Sequence, residues 1–143
     1  DCRHPPCIDA WAKYDNIVEL AEQHGIQIIA RLDAPPKWAQ GNTGDFAPPG
    51  NLDDFGDYVA AVANRYKGRI THYQIWNEPN NYPEWGESPV NPENFTRLLC
   101  TAYRRIKEID PNAKVLAPAL TPTISLEPGP GPGTGGRSEP SRR

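Results

Sequence analysis

"YVAAVANRYKGRITHYQIWNEPN", Tyr58 to Asn80, holds two periodicities back to back. Up to Tyr66 the apolar positions fall at helical spacing, and Gly68 stands where a left-handed helix cap belongs. From Ile70 to Trp76 the pattern becomes that of a strand, ending on an amide, a carboxylate and a proline. Pro79 has no N–H to give to a sheet ladder. The ladder therefore stops behind it, and Asn77 and Glu78 project from the strand's tip.

The same alternation extends outward in both directions. The helix begins near Leu52, with Asn51 as N-cap, Asp53 and Asp54 in its first turn, and Leu52, Phe55, Val59, Val62 and Tyr66 as its buried stripe. Upstream, Tyr14 to His24 carries Ile17, Leu20 and Ala21 at helical spacing, with Gly25 as its cap. Ile26 to Leu32, "IQIIARL", is nearly continuous apolar and β-branched, which suits a parallel strand covered on both faces. "DAPPKWAQGNTGDFAPPGN" then makes a long loop over that strand's C-terminal end. Downstream, "NEPNNYPEWGESPVN" is the matching loop after the second strand. Asn91 caps a third helix with Pro92 at its tolerated first position, and Phe95, Leu98, Leu99, Ala102, Ile106 and Ile109 face inward. "DPNA" stops it, and Lys114 to Ala117 forms a third strand.

Helix and strand thus alternate three times, with the long loops always after the strands. Such an order predicts an α/β protein with a parallel sheet, either part of a closed eight-stranded barrel or an open doubly wound sheet. No Gly-rich phosphate turn follows any of the strands. An open-sheet nucleotide binder would need its phosphate loop upstream of Asp1.

Composition narrows the function classes. The 143 residues are 37% hydrophobic, the size and content of one domain, and 15 basic against 18 acidic side chains give a net charge of −3. These charges are intermixed, so no basic stripe awaits nucleic acid and no cationic face awaits anionic lipid. No run of about 18 apolar residues would span a bilayer, and the first residues lack the order of a secretory signal. The chain has no Met and begins with Asp1, which reads as a processed product or a fragment. Cys2 and Cys7 can form at most one bridge; with His4 they fall a ligand short of a closed zinc site, so no metal is expected. Cys100 reads as a small core residue. The expected organisation is an N-terminal edge segment over 1–13, a β/α unit over 14–120, and a disordered Gly/Pro-rich tail over 121–143.

Glu78 carries the chemistry. Trp76, Tyr82 and Trp85 would half shelter it, and partial desolvation raises a carboxylic acid toward a value at which it can hold a proton near neutrality and still release it. Asn77 can donate and accept, and so hold a ligand hydroxyl. The competing reading is plain strand-exit punctuation.

"IWNEPN" resembles the Asn-Glu-Pro signature of clan A glycoside hydrolases, the (β/α)8 enzymes that include families 5, 10 and 39. "HGIQIIARLDAPPKWA" is similar to their third strand and its loop, and "YVAAVANRYKGRITHYQIWNEPN" to the helix and strand that follow. The wording looks closest to family 39 and to neighbouring family 5-like bacterial sequences. The resemblance implies a partial TIM barrel, roughly strands three to five with their helices. It also implies that Glu78 is the general acid/base of a retaining O-glycosidase and that Asn77 contacts the sugar 2-hydroxyl. The family's nucleophile is a Glu ending the seventh strand, beyond this chain; Glu84, Glu87, Glu127 and Glu139 do not fit that place. The expectation is therefore a hydrolase fragment acting on poly- or oligosaccharides, inactive alone, with no cofactor and with an exported parent.

Other residues are expected to bind sugar. Arg31 and Asp33 bracket the first strand's end, and Trp38, Tyr82 and Trp85 sit in the two loops with faces that could stack on sugar rings. The alternatives are a salt bridge for the first pair and loop packing for the aromatics. A noncatalytic carbohydrate-binding piece is the second functional expectation. His4, His24 and His72 have no triad partners, and no G-x-S-x-G elbow supports acyl transfer.

Overall fold

The computed structural model describes residues 10–41 and 44–122. Cys2, His4 and Cys7 and the expected tail from residue 123 onward lie outside the described residues. The elements are α1 (Trp11–Gln23), β1 (Ile29–Leu32), a 3₁₀ turn (Lys37–Ala39), α2 (Leu52–Arg65), β2 (His72–Ile75), α3 (Pro92–Ile109) and β3 (Lys114–Leu116). The strands form one parallel sheet in chain order, β1-β2-β3, with Ile29 opposite His72 and His72 opposite Lys114.

Each boundary has a local cause. α1 ends in a Schellman turn, with Ile26 N–H donating to Ala21 O at 2.8 Å and Gly25 N–H to Glu22 O at 3.1 Å, Gly25 standing at φ +65°. That turn consumes the residues before Ile29, so β1 is shorter than the apolar run suggested, and Ile26 is left 62% exposed. Asn51 Oδ1 accepts from Asp53 N–H at 2.9 Å at the start of α2, and Asn91 Oδ1 from Asn94 N–H at 2.8 Å at the start of α3.

The core lies between the sheet and the helices. Leu32, Tyr73 and Ile75 from the strands meet Phe55, Val59 and Val62 of α2 and Leu98, Ala102 and Ile106 of α3. Tyr73 is 1% exposed and donates to Ile70 O at 3.2 Å; burial, with the charge of Asp110, pushes its phenol up to about 12, so it stays a neutral donor. α2 and α3 approach closely at Gly56, where a Cβ would stand 3.2 Å from Arg105 Nε and 3.3 Å from Thr101 Cγ2.

Three expectations need correction. The strands are covered on the helix side only: along β1, Ile29 and Arg31 alternate outward from the buried Leu32 and face away from the helices. Cys100 is exposed, because the stripe of α3 runs through Leu98, Ala102 and Ile106 and position 100 falls on the opposite side. α1 buries Val18, while Ile17 and Leu20 remain 44% and 46% exposed. Its contacts run along another face, to the end of α2 and the residues just after it, through Asp15 to Arg65, Trp11 against Tyr66 and Glu22 to Arg69.

Candidate active site

All three strands point the same way, so their C-terminal tips gather at one end of the sheet. There the backbone departs from regular geometry three times. Ala34 after β1, and Trp76 and Glu78 after β2, have φ of +46°, +69° and +39°. These are the only non-glycine residues of positive φ among the described residues, and each costs on the order of 1–3 kcal/mol. Surrounding bonds hold them there.

At the β2 tip, Trp76 N–H donates to Leu32 O at 2.9 Å, and its indole N–H donates to Glu84 O at 2.6 Å. Gln74 Nε2 adds a bond to Trp76 O at 3.0 Å. Asn77 and Glu78 follow, both half-buried, and Pro79 after them is buried. Asn81 N–H closes the turn onto Glu78 O at 2.9 Å. Asn80 makes two bonds to the chain leaving β3, Nδ2 donating to Thr121 O at 2.8 Å and Oδ1 accepting from Thr121 N–H at 3.0 Å.

At the β1 tip, Arg31 Nε and Asp33 Oδ2 form an ion pair at 2.7 Å. The salt-bridge alternative for these two residues is therefore the arrangement present. The loop beyond is folded on itself: Gly41 N–H donates to Pro48 O at 2.8 Å, Gly50 N–H to Ala39 O at 2.9 Å, and Gln40 Nε2 to Pro35 O and Asp45 O.

Two clefts flank the tips. One, of ≈ 480 Å³, runs between this loop and α2 and is lined by Asp33, Trp38 and Tyr58 among others. The second, of ≈ 420 Å³, lies between the two long loops and takes Tyr82, Phe46, Asp45 and Glu87 into its wall. Trp38 and Tyr82 are 45% and 47% exposed, and each belongs to a different cleft. Glu78 lines neither.

Trp85 does not stand where the sequence placed it. It is 3% exposed and packs edge-on against Trp76, with centroids 5.4 Å apart, and against Phe95 at 6.1 Å. The indole–Glu84 bond of Trp76 draws this part of the loop onto the core, so Trp85 presents no face to a ligand. The sequence gives no role to Asn80, Phe46 or Tyr58, and Glu87 enters it only as a residue that does not fit the nucleophile's place. Only the aromatics among these carried a recognisable signal; Asn80 reads as loop punctuation until its partner 41 positions away is known.

Residues 8–126 match the family "Cellulase (glycosyl hydrolase family 5)". The chain belongs to glycosyl hydrolase family 5. Across this family 5 chain, the beta-xylosidase of Geobacillus stearothermophilus is 26% identical over 84 residues, 54% of the chain and 16% of the xylosidase. The family 39 glycoside hydrolase from Bacteroides cellulosilyticus WH2 superposes on 79% of the chain and 22% of its own, with a TM-score of 0.58 at 20% identity. A glucosidase from Croceicoccus marinus gives 0.59 at 19% identity over 77% of the chain and 23% of its own. A family 10 endoxylanase from a sugarcane soil metagenome gives 0.53 at 23% identity, over 76% and 34%. These likenesses decide between the two architectures: the sheet and helices are part of a (β/α)8 barrel. The chain spans about a sixth of the curated xylosidase and a fifth to a third of these three solved structures.

Proposed function

We propose that this chain contributes the acid/base half of a retaining O-glycoside hydrolase active site, acting on a poly- or oligosaccharide. The observation that carries the reading is the place of Asn77 and Glu78, half-buried in strained backbone at the C-terminal tip of the middle strand of a family 5 barrel sheet. Barrel enzymes assemble their sites at that end of the strands. Glu78 protonates the departing glycosidic oxygen, and its carboxylate then takes a proton from the water that releases the sugar. Asn77 hydrogen-bonds the 2-hydroxyl.

The attacking carboxylate has to stand about 5–5.5 Å from the first, on the other side of the sugar ring. We assign it to a part of the barrel outside these 143 residues, so the chain alone has no turnover. A complete barrel takes about 250 residues, and the apolar flank of α1, with Tyr14, Ile17 and Leu20 exposed, suits a further helix packed beside it. The Arg31–Asp33 pair offers sugar hydroxyls both donors and acceptors, and Trp38 and Tyr82 offer partly exposed rings to stack on pyranose faces. No cofactor takes part in this scheme.

A second reading, carbohydrate binding without cleavage, is favoured by one observation: Trp38 and Tyr82 line clefts and Glu78 does not. Glu78→Gln in the full-length protein separates the two. The enzyme reading expects activity to fall most on unactivated oligosaccharides and least on aryl glycosides with good leaving groups, because only the former need the proton. Equal losses on both would sink the assigned role. Glycan binding with no turnover in the unaltered full-length protein would favour the second reading.

A further inference from the structure

We propose that Asn80 is a positioning residue for Glu78: its side-chain amide ties the turn carrying the carboxylate to the chain leaving β3, and so fixes where the proton donor stands. The inference rests on the reading of Glu78 as the acid/base.

The two bonds between Asn80 and Thr121 reproduce what one peptide group offers another in a sheet ladder, one donor and one acceptor. Past the point where β2 and β3 stop pairing, a side chain therefore continues the pairing. The turn is also held from the β1 side, by Trp76 N–H on Leu32 O, and from within, by Asn81 N–H on Glu78 O. Glu78 sits between these anchors at φ +39°, a conformation that relaxes once its restraints are cut. Asn suits the place because a short stem must carry both a donor and an acceptor. Asp would keep only the acceptor when ionised, and Gln is a methylene too long. The Thr121 hydroxyl is buried and has no partner among the described residues, so the tie runs through backbone groups.

The chemical consequence follows from geometry. A general acid works at hydrogen-bond distance from the oxygen it protonates, and a displacement of about 1 Å can cost about 10²-fold. Releasing the β3 anchor lets the turn move by distances of that order while the fold, held by the helix-side core, persists.

The test compares the full-length protein with Asn80→Ala, Glu78→Gln and the double variant, each on oligosaccharides and on activated aryl glycosides. Asn80→Ala is expected to lower kcat on oligosaccharides by about 10- to 100-fold with KM moving far less, to spare the aryl glycosides, and to add little to Glu78→Gln in the double variant. A merely structural role would lower both substrate classes in proportion, through fewer folded molecules, and would add in full to Glu78→Gln. Either of those results, or no loss at all, overturns the inference while leaving Glu78's role intact. If Glu78→Gln itself shows no dependence on the leaving group, the functional reading falls and this inference falls with it.

Discussion

The two faces of the three-stranded sheet are unlike. Toward the helices, Leu32, Tyr73 and Ile75 are no more than 3% exposed and pack on α2 and α3. On the opposite face, Ile29 is 60% exposed and Arg31, His72 and Gln74 stand beside it in register. One face supplies cohesion and is finished within the chain. The other is polar and open, as the inner wall of a barrel is until its remaining strands enclose it. The strand tips belong to neither face. They are held by specific hydrogen bonds and by tolerated strain, and it is there that the proposed acid/base stands.

This division predicts that tip and core substitutions separate function from stability. The largest effect falls at the tip: Glu78→Gln should lower turnover of oligosaccharides by about 10²–10⁴-fold in the full-length protein, with an unchanged denaturation midpoint. Ile106→Ala is the converse. That side chain is 0% exposed between α3 and the sheet, and its truncation should cost about 2–5 kcal/mol in urea denaturation while kcat per folded molecule stays constant. A Glu78 variant that unfolds early, or an Ile106 variant that changes leaving-group preference, would break the separation.

What could be read from the sequence follows the same line. The helix-side architecture was legible because periodicity, caps and glycine stops are local: Asn51, Asn91, Gly25 and the stripes of α2 and α3 all stand as expected. The family was legible through the likeness of "IWNEPN", placed behind an apolar strand, to a known signature. Three things were not. Trp85 looks like any loop aromatic, and only the bond from Trp76 to Glu84 O shows that it turns inward. Asn80 acquires its partner from a segment that chain order does not bring near. The pairing of Trp38 with one cleft and Tyr82 with another depends on how a Pro-rich loop closes on itself through Gln40, Gly41 and Gly50. Each of these is a contact across elements, and composition carries no record of such contacts.

A smaller effect sharpens the view that the helix side is built from local signals. Asn51 Oδ1 satisfies one of the free N–H groups at the start of α2, and Asn51→Ala should cost about 1 kcal/mol. Gly at the same position should cost only a few tenths, since the extended backbone at φ −124° is open to it. Denaturation midpoints of the two variants check this. If Asn51→Ala lost nothing, the side-chain cap would not be what starts the helix.

The smallest expected effect lies on the outer flank, where ion pairs join α1 to α2 beside the packing of Trp11 and Val18. Arg65 Nε donates to Asp15 Oδ1 at 2.7 Å, and the Tyr66 hydroxyl adds a bond at 3.0 Å. The Arg65 guanidinium foremost, against some desolvation, holds the Asp15 carboxyl at about 2 where 3.8 is ordinary. Because the folded value lies below the unfolded one, this contribution to stability is fully present above about pH 4 and drains away as the pH falls toward 2. Asp15→Asn should therefore lower the denaturation midpoint slightly at neutral pH and flatten the acid side of the stability profile between those limits. Its midpoint should converge on that of the unaltered protein near pH 2. The pair is half-exposed, so added salt should shrink the neutral-pH difference, whereas a packing defect such as Ile106→Ala should be indifferent to salt. A difference that persisted unchanged at high salt or at pH 2 would mean that α1 is held to α2 by Trp11 and Val18 alone, making the flank an extension of the core rather than a separate electrostatic seam.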